Sequence, residues 1–313
     1  LYLLRLLSSA LYSNNYRLGE TQMHLVIGAN GRIGRRVTEE LIKVGEKPRV
    51  LVRDASKAAE RFGDQAEIAV GDLDDDISIA KAMHDVSSIF LCCPVNPNQV
   101  KQQNAVVDEA AKAKAYLVKV SGLATFPGSF VDSGRWHAET EHYMANSGVS
   151  STCLHPFFFM QNMDSQLASI QEDGLLKSAV HSLALAMVDT RDIAAVAATL
   201  MLNPDLATGQ TLQLTCGEAI TYKQMAEQMS EVFQRPVSFC RQDLTEVEAN
   251  LHQSGLPDWH IQIILQFNRA FNEGYGSEVH THVQEILGRP PFSFRDYLET
   301  VSVLEKDTNP FPS

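Results

Sequence analysis

The sequence predicts an α/β fold: a doubly wound parallel sheet with a smaller, mainly helical C-terminal region. Three observations predict it. Short apolar runs alternate with amphipathic stretches through the first half of the chain. The first apolar run ends in a glycine-rich turn that leads straight into a helical pattern. Beyond Pro156 the alternation loosens, and longer helical stretches take over. Short buried strands separated by amphipathic helices are the mark of a parallel sheet covered on both faces, and right-handed crossovers then wind it doubly.

The elements follow in order. Residues 23–27 are apolar and read as the first strand. Residues 32–44 carry Ile33, Val37, Leu41 and Val44 on one side, which is helical spacing. The runs at 48–52 and 66–70 are strands; 77–83 is a helix and 88–92 a strand. An Ala- and Val-rich helix at 99–114 precedes a strand at 116–120. A helix at 139–147 and a strand at 149–154 complete the regular part. Residues 157–160 read as an apolar loop or helix start. A helix at 191–202 follows Asp189 and Thr190, with Asp192 in its first turn, where negative charge suits the helix dipole. Residues 211–215 form a strand, and Thr221 is an N-cap for a helix at 221–234. Residues 242–273 and 294–304 are mostly helical. No internal repeat is visible.

Charge and cysteine content narrow the function classes. The chain has 313 residues, with 26 Lys and Arg against 38 Asp and Glu, a net charge of −12. Such a surface repels phosphate backbones, so nucleic acid is not an expected partner. Five scattered cysteines without Cys-x-x-Cys fit a reducing compartment, and the expected location is the cytoplasm. Residues 1–22 hold an apolar run too short to span a bilayer, broken by Arg5. They read as an extension that is non-native or poorly ordered; a targeting segment and a docked amphipathic helix are the alternatives. No membrane span is expected elsewhere.

Residues 28–34 spell Gly-Ala-Asn-Gly-Arg-Ile-Gly, placed between a strand and a helix. Gly28 permits the sharp turn, Gly31 lets backbone N–H groups approach a pyrophosphate, and Gly34 lets the helix pack close to the sheet. That is the phosphate cradle of a Rossmann sheet. An NAD site places an acidic residue at the tip of the second strand, whereas here Arg53 stands there and Lys57 follows one turn on. Two cations suit a 2′-phosphate, so NADP(H) is preferred and NAD(H) is the second option. Asp54 lies between them as a source of repulsion. Asp72, at the third strand tip, is placed to accept from the adenine amine with Leu73 against the ring; the alternative is a helix cap. Cys92 and Cys93 end the fourth strand and read as small buried side chains rather than a redox pair. The chain thus divides into 1–22, an NAD(P)-binding domain at 23–156 and a substrate-pocket region at 157–313, with about 186–215 returning to the sheet.

Six segments in linear order carry a resemblance: MHLVIGANGRIGRRV, VLVRDASKA, VGDLDD, HAETEHYMANSGVSSTCLHPFFFMQNM, MVDTRDIAAVA and TLQLTCGEAITYKQMAEQMSEVF. From residue 23 to at least 237 the chain resembles the NmrA-like family of atypical short-chain dehydrogenase/reductase proteins. That family includes NADPH-dependent quinone reductases, azoreductase-like proteins and NADP-sensing regulators. The resemblance implies that Gly28, Asn30, Gly31, Arg32 and Ile33 surround the pyrophosphate. It implies Arg53 and Lys57 at the 2′-phosphate, Asp72 and Leu73 near adenine, and Cys93 and Pro94 along the ribose. It puts Pro156, Phe157, Phe159 and Asn162 near the nicotinamide and substrate pocket. The chain departs from the family at His155, where arginine is common.

None of the eight tyrosines is followed four residues later by lysine. The Tyr-x-x-x-Lys pair that protonates alkoxides is therefore missing, which disfavours simple alcohol–ketone chemistry and sugar epimerisation. A quinone accepts hydride more readily, because its product is aromatic. Two readings follow: a reductase passing hydride to a quinone-like or conjugated small-molecule acceptor, or a non-catalytic NADP(H) sensor acting through a protein partner. His137 is the candidate proton donor, the alternative being a surface or supporting histidine. Lys119 and Ser121 are placed to touch the nicotinamide ribose, or else serve the fold. No metal site is expected: His137 to His142 lacks His-Glu-x-x-His spacing, and His280 with His282 has no third ligand nearby.

Overall fold

The computed structural model describes residues 22–181 and 183–308, with side chains as far as residue 301. The expectation for residues 1–22 falls, apart from Gln22, outside the described residues. Seven parallel strands form the main sheet: β1 (Met23–Ile27), β2 (Arg49–Val52), β3 (Glu67–Val70), β4 (Val86–Leu91), β5 (Tyr116–Val120), β6 (Ser151–Pro156) and β10 (Thr211–Leu214). Their spatial order is β10-β6-β5-β4-β1-β2-β3. The winding reverses between β1 and β4, where Ile27 lies opposite both Leu51 and Leu91. Ligands of open parallel sheets bind at this switch, outside the carboxyl ends of the strands.

The strands are apolar because both faces are covered. On one side lie α1 (Arg32–Lys43) and α7 (Thr190–Leu202), which pack on each other. Val37, Leu41, Ile193 and Ala197 meet Val26, Val118 and Leu154 there. On the other side lie α3 (Asp76–Ala82), α4 (Gln99–Ala113) and α5 (Asp132–Ser147), whose Ile79, Val106, Val107 and Met144 pack on Leu25, Ile89 and Leu117. From beyond Pro156, α7 packs on α1 and β10 pairs with β6 at the edge of the sheet.

Local chemistry fixes many ends. Asp189 caps α7 through the Arg191 N–H at 2.8 Å. Thr221 and Gln224 form a capping box on α8 (Tyr222–Phe233). The reading 242–273 resolves into α9 (Leu244–Gln253) and α10 (Asp258–Asn272), separated where Gly255 and Pro257 interrupt the pattern. The last helices are α11 (His282–Leu287) and α12 (Phe294–Thr308).

Three expectations change. A helix not expected from the sequence, α2 (Ala55–Phe62), follows β2; it buries only Ala58 and Phe62, too few to print a period. Helix α5 starts at Asp132 rather than 139. Its first turn contains Gly134, a weak helix former that is needed because an added Cβ would lie 2.2 Å from the Ala124 carbonyl oxygen. Residues 158–159 are a strand, β7 (Phe158–Phe159), followed by a tight 3₁₀ turn at Met160–Gln166. β7 joins β9 (Leu185–Val188) and β11 (Ala219–Ile220) in a small sheet; β8 (Leu175–Ser178) pairs with β12 (Ser238–Arg241). With α6 (Leu167–Asp173), α8 and α12 these enclose a second core around Met160, Met163, Leu176, Met225 and Leu298.

Candidate functional site: a cofactor crevice and an aromatic cleft

The crevice begins where β1 turns into α1. Gly28 has φ +89°, and an added Cβ would stand 2.1 Å from the Cys92 carbonyl oxygen. Gly34 abuts the same turn: its Cβ would lie 2.3 Å from the Gly28 oxygen. Glycine at these positions brings strand end, turn and helix together. The Gly31 N–H closes the turn onto the Gly28 oxygen at 2.8 Å. No side chain caps α1, so its first N–H groups remain available to an anion, and no carboxylate occupies its first turn. These features fit a dinucleotide pyrophosphate. Asn30 is exposed beside them, and Ile33 is buried and anchors the helix.

Arg53 is exposed at the end of β2 and makes no ion pair among the described residues. The expected repulsion from Asp54 is moderated. Its carboxylate accepts from the Ser56 N–H at 3.0 Å and from the Ser56 hydroxyl, capping α2, and it lies 4.0 Å from the Lys57 ammonium. Hydrogen bonding from Ser56 holds the Asp54 carboxyl below its usual range. Asp72 is half-buried after β3, with its carboxylate accepting from the Asp74 N–H at 3.0 Å. The cap of α3 is Asp75 instead. Leu73 packs on the sheet core beside it. Cys92 and Cys93 are free thiols. Burial pushes Cys92 up to about 12 and raises Cys93, whose sulfur accepts from Gln103 at 2.9 Å; neither is a reactive thiolate. Pro94 is exposed on the next turn of chain.

A cleft of about 610 Å³ opens beside the crevice. Pro156, Phe157, Phe158 and Phe159 form one wall, and Ile263, Ile264, Phe267 and Phe271 of α10 form the other. Ser121 and His137 lie on the sheet side, with Arg32, Asn162 and His260 among the polar lining groups. Phe158 meets Phe271 edge-on at 5.6 Å, and Phe267 stacks on Phe271 at 5.8 Å. Arg32 joins crevice and cleft. It is the first residue of α1, lines the cleft, donates to the Gln161 carbonyl at 2.8 Å and lies 3.5 Å from Asp164.

Behind Ser121 and His137 runs a buried polar row. Lys119, in β5, is fully buried, and its ammonium donates to Ser121 Oγ at 2.6 Å and lies 3.1 Å from His137 Nδ1. It reaches the cleft through these partners rather than directly. Ser121 donates in turn to Glu141, which is paired with His155 Nε2 at 2.8 Å. Burial lowers the Lys119 pKa, against the pull of Glu141. Burial first, then Lys119 and His155, holds His137 well below 6.5, so its ring is neutral. Burial opposes ionisation of Glu141, but the His155 hydrogen bond and charge outweigh it and keep the carboxyl below its usual range. His155, the departure noted above, thus occupies the carboxylate that an arginine there would also suit.

Of the expected residues, Arg32, Ser121, His137, Pro156, Phe157, Phe159 and Asn162 meet at the cleft. Arg53, Lys57, Asp72 and Leu73 lie along the far arm of the crevice, at the ends of β2 and β3. The wall from α10 was missed, although His260, Ile264, Phe267 and Phe271 show helical spacing and signalled a buried stripe. Glu141 carried no comparable signal, and His155 stood out only as a departure from the family pattern. Among the described residues no cluster of three or more His, Cys, Asp or Glu side chains is placed to hold a metal ion.

The sequence profile of the NmrA-like family matches residues 20–298, and the chain belongs to that family. It is 29% identical over 276 residues to an NAD(P)H azoreductase of Xenophilus azovorans, covering 88% of this chain and 96% of the relative. An NADPH-dependent quinone oxidoreductase of Escherichia coli, solved with NADPH, superposes with a TM-score of 0.81 at 21% identity, over 90% of this chain and 99% of its own. A triphenylmethane reductase of Citrobacter sp., solved with NADP(H), gives 0.79 at 21% identity, over 90% and 100%.

Proposed function

We propose that this member of the NmrA-like family is an NADPH-dependent reductase that passes hydride to a quinone-like or otherwise conjugated small-molecule acceptor. The observation that carries the reading is the junction at Arg32. The helix that begins the anion cradle also lines an aromatic cleft, so cofactor and acceptor share one wall. The named activities of the relatives, on azo compounds, quinones and triphenylmethane dyes, support the same acceptor class.

When bound, NADPH supplies the hydride. Gly28, Asn30, Gly31, Arg32 and Ile33 hold its pyrophosphate, and Arg53 with Lys57 holds the 2′-phosphate. Asp72 and Leu73 take the adenine; Cys93, Pro94 and Ser121 border the riboses. Pro156, Phe157 and Phe159 orient a flat acceptor and exclude water, while Asn162 fixes its polar edge. The missing Tyr/Lys pair is no obstacle, because such acceptors need no polarised carbonyl to take hydride. The sensor reading, with its protein partner, is not favoured: an aromatic cleft against the cradle suits a second small molecule. Five free thiols fit the cytoplasm, and no described helix is long and apolar enough to cross a membrane. The test is NADPH oxidation, followed by nicotinamide absorbance, on addition of a panel of quinones and azo dyes. Tight NADPH binding without turnover on any acceptor would reject the reading.

A further inference from the structure

We propose that Lys119 and His137 form a coupled proton donor to the acceptor, with His137 Nε2 the delivering atom and Glu141 and Ser121 holding the lysine charge in place. The proposal deepens the reductase reading and rests on it. Reduction of a quinone or an azo bond consumes one hydride and one proton. The hydride comes from the cofactor, and a group at the cleft that delivers the proton as the hydride arrives spares the acceptor a free anion.

The geometry selects His137. Its Nδ1 lies 3.1 Å from the Lys119 nitrogen, and an ammonium can only donate. Nδ1 therefore accepts, which leaves the ring proton on Nε2. The ring lines the cleft, whereas the lysine nitrogen is enclosed. The lysine is tied on its other side to Ser121 at 2.6 Å, and Ser121 to Glu141, so a buried positive charge has a half-buried counter-charge one hydroxyl away. His155 keeps that carboxylate engaged at 2.8 Å. The remaining groups acting on Lys119 are Cys92, Cys93 and Cys153, all burial-shifted towards the neutral thiol.

The step balances. As hydride reaches the acceptor, the Nε2–H bond breaks and its proton joins the developing oxyanion or nitrogen anion. Nδ1 takes a proton from Lys119, which becomes a neutral amine. Once product leaves, water in the cleft returns one proton to Nε2, and the Nδ1 proton goes back to the lysine. The net reaction is acceptor plus hydride plus one proton from water.

The experiment compares two acceptors in single turnovers. A quinone needs the proton; a cationic triarylmethyl dye becomes neutral on taking hydride and needs none. In His137→Gln and Lys119→Met the ratio of quinone to dye rates should fall about 100-fold, the lower range for general acid catalysis. An unchanged ratio, with both rates falling together, would show a merely structural role and overturn the proposal. Nitrogen NMR of the unliganded wild-type protein should find His137 as the Nε2–H tautomer, and the Nδ1–H form would overturn it without any variant. Wild-type protein that reduces neither acceptor removes the reductase reading and this proposal together.

Discussion

Replacing Arg53 by alanine tests the cofactor assignment most sharply. The guanidinium is exposed at the tip of β2 and has no ion pair among the described residues, so its removal leaves no partner stranded. Surface substitutions of this kind change stability by about 0.5 kcal/mol or less. Its loss to a 2′-phosphate is larger, about 1.5–3 kcal/mol for hydrogen bonds to a charged group. At about 1.4 kcal/mol per decade this weakens NADPH roughly 10- to 100-fold. NADH lacks the phosphate and should change by less than about twofold on the same reasoning. Fluorescence titration of both reduced cofactors, beside a thermal melt, reads all three quantities. Equal losses for NADPH and NADH would refute the placement of the 2′-phosphate. An unfolded variant would refute the view that Arg53 is free of the fold.

The remaining predictions concern the cradle, the cleft, one helix end and one buried histidine. Gly28→Ala should lower stability by about 1–3 kcal/mol and abolish NADPH binding, because the new methyl would meet the Cys92 carbonyl at 2.1 Å; a wild-type melt with intact titration would contradict this. Phe267→Ala should raise the KM for aromatic acceptors while leaving the NADPH Kd unchanged, since it lies on the cleft wall away from the cradle. Thr221→Ala, which removes the capping box of α8, should cost about 1 kcal/mol in a denaturant titration without touching cofactor affinity. His24 is buried on β1, where desolvation lowers its pKa to about 4. The unfolded chain binds that proton near 6.5 and the folded protein resists it, so the contribution is complete above pH 6.5 and fades as pH falls towards 4. The loss approaches about 3 kcal/mol at 1.36 kcal/mol per pKa unit. Unfolding of His24→Gln should lack this acid-side slope, and identical pH profiles would exclude the assignment.

Legibility in the sequence followed the range of the forces involved. Strands β1 and β5 and helix α7 were readable nearly to the residue, because apolar run length and a capping aspartate are local. The two-residue strands β7 and β11 were not, because only pairing with β9 makes them strands. The opening turn of α5 was hidden for a related reason: Gly134 reads as a helix breaker until the Ala124 carbonyl is seen against it.

The same division holds for the site. The amino-acid sequence alone carried the reading of the cradle and of the cofactor preference, since a strand–glycine–helix turn and a basic strand tip sit within a few dozen contiguous residues. It also determined that the usual tyrosine and lysine are missing. Only the tertiary structure decided which side chains line the cleft beside the cradle. Strand β5 and the residue after it bring Lys119 and Ser121, helix α5 brings His137 and Glu141, and β6 brings His155, so that polar groups far apart in the chain form one largely buried row. Burial makes that row consequential: removed from water, each polar group must find a partner, and Lys119 finds its own in Ser121 and His137, which lie at the end of the same strand and on a helix packed beside it.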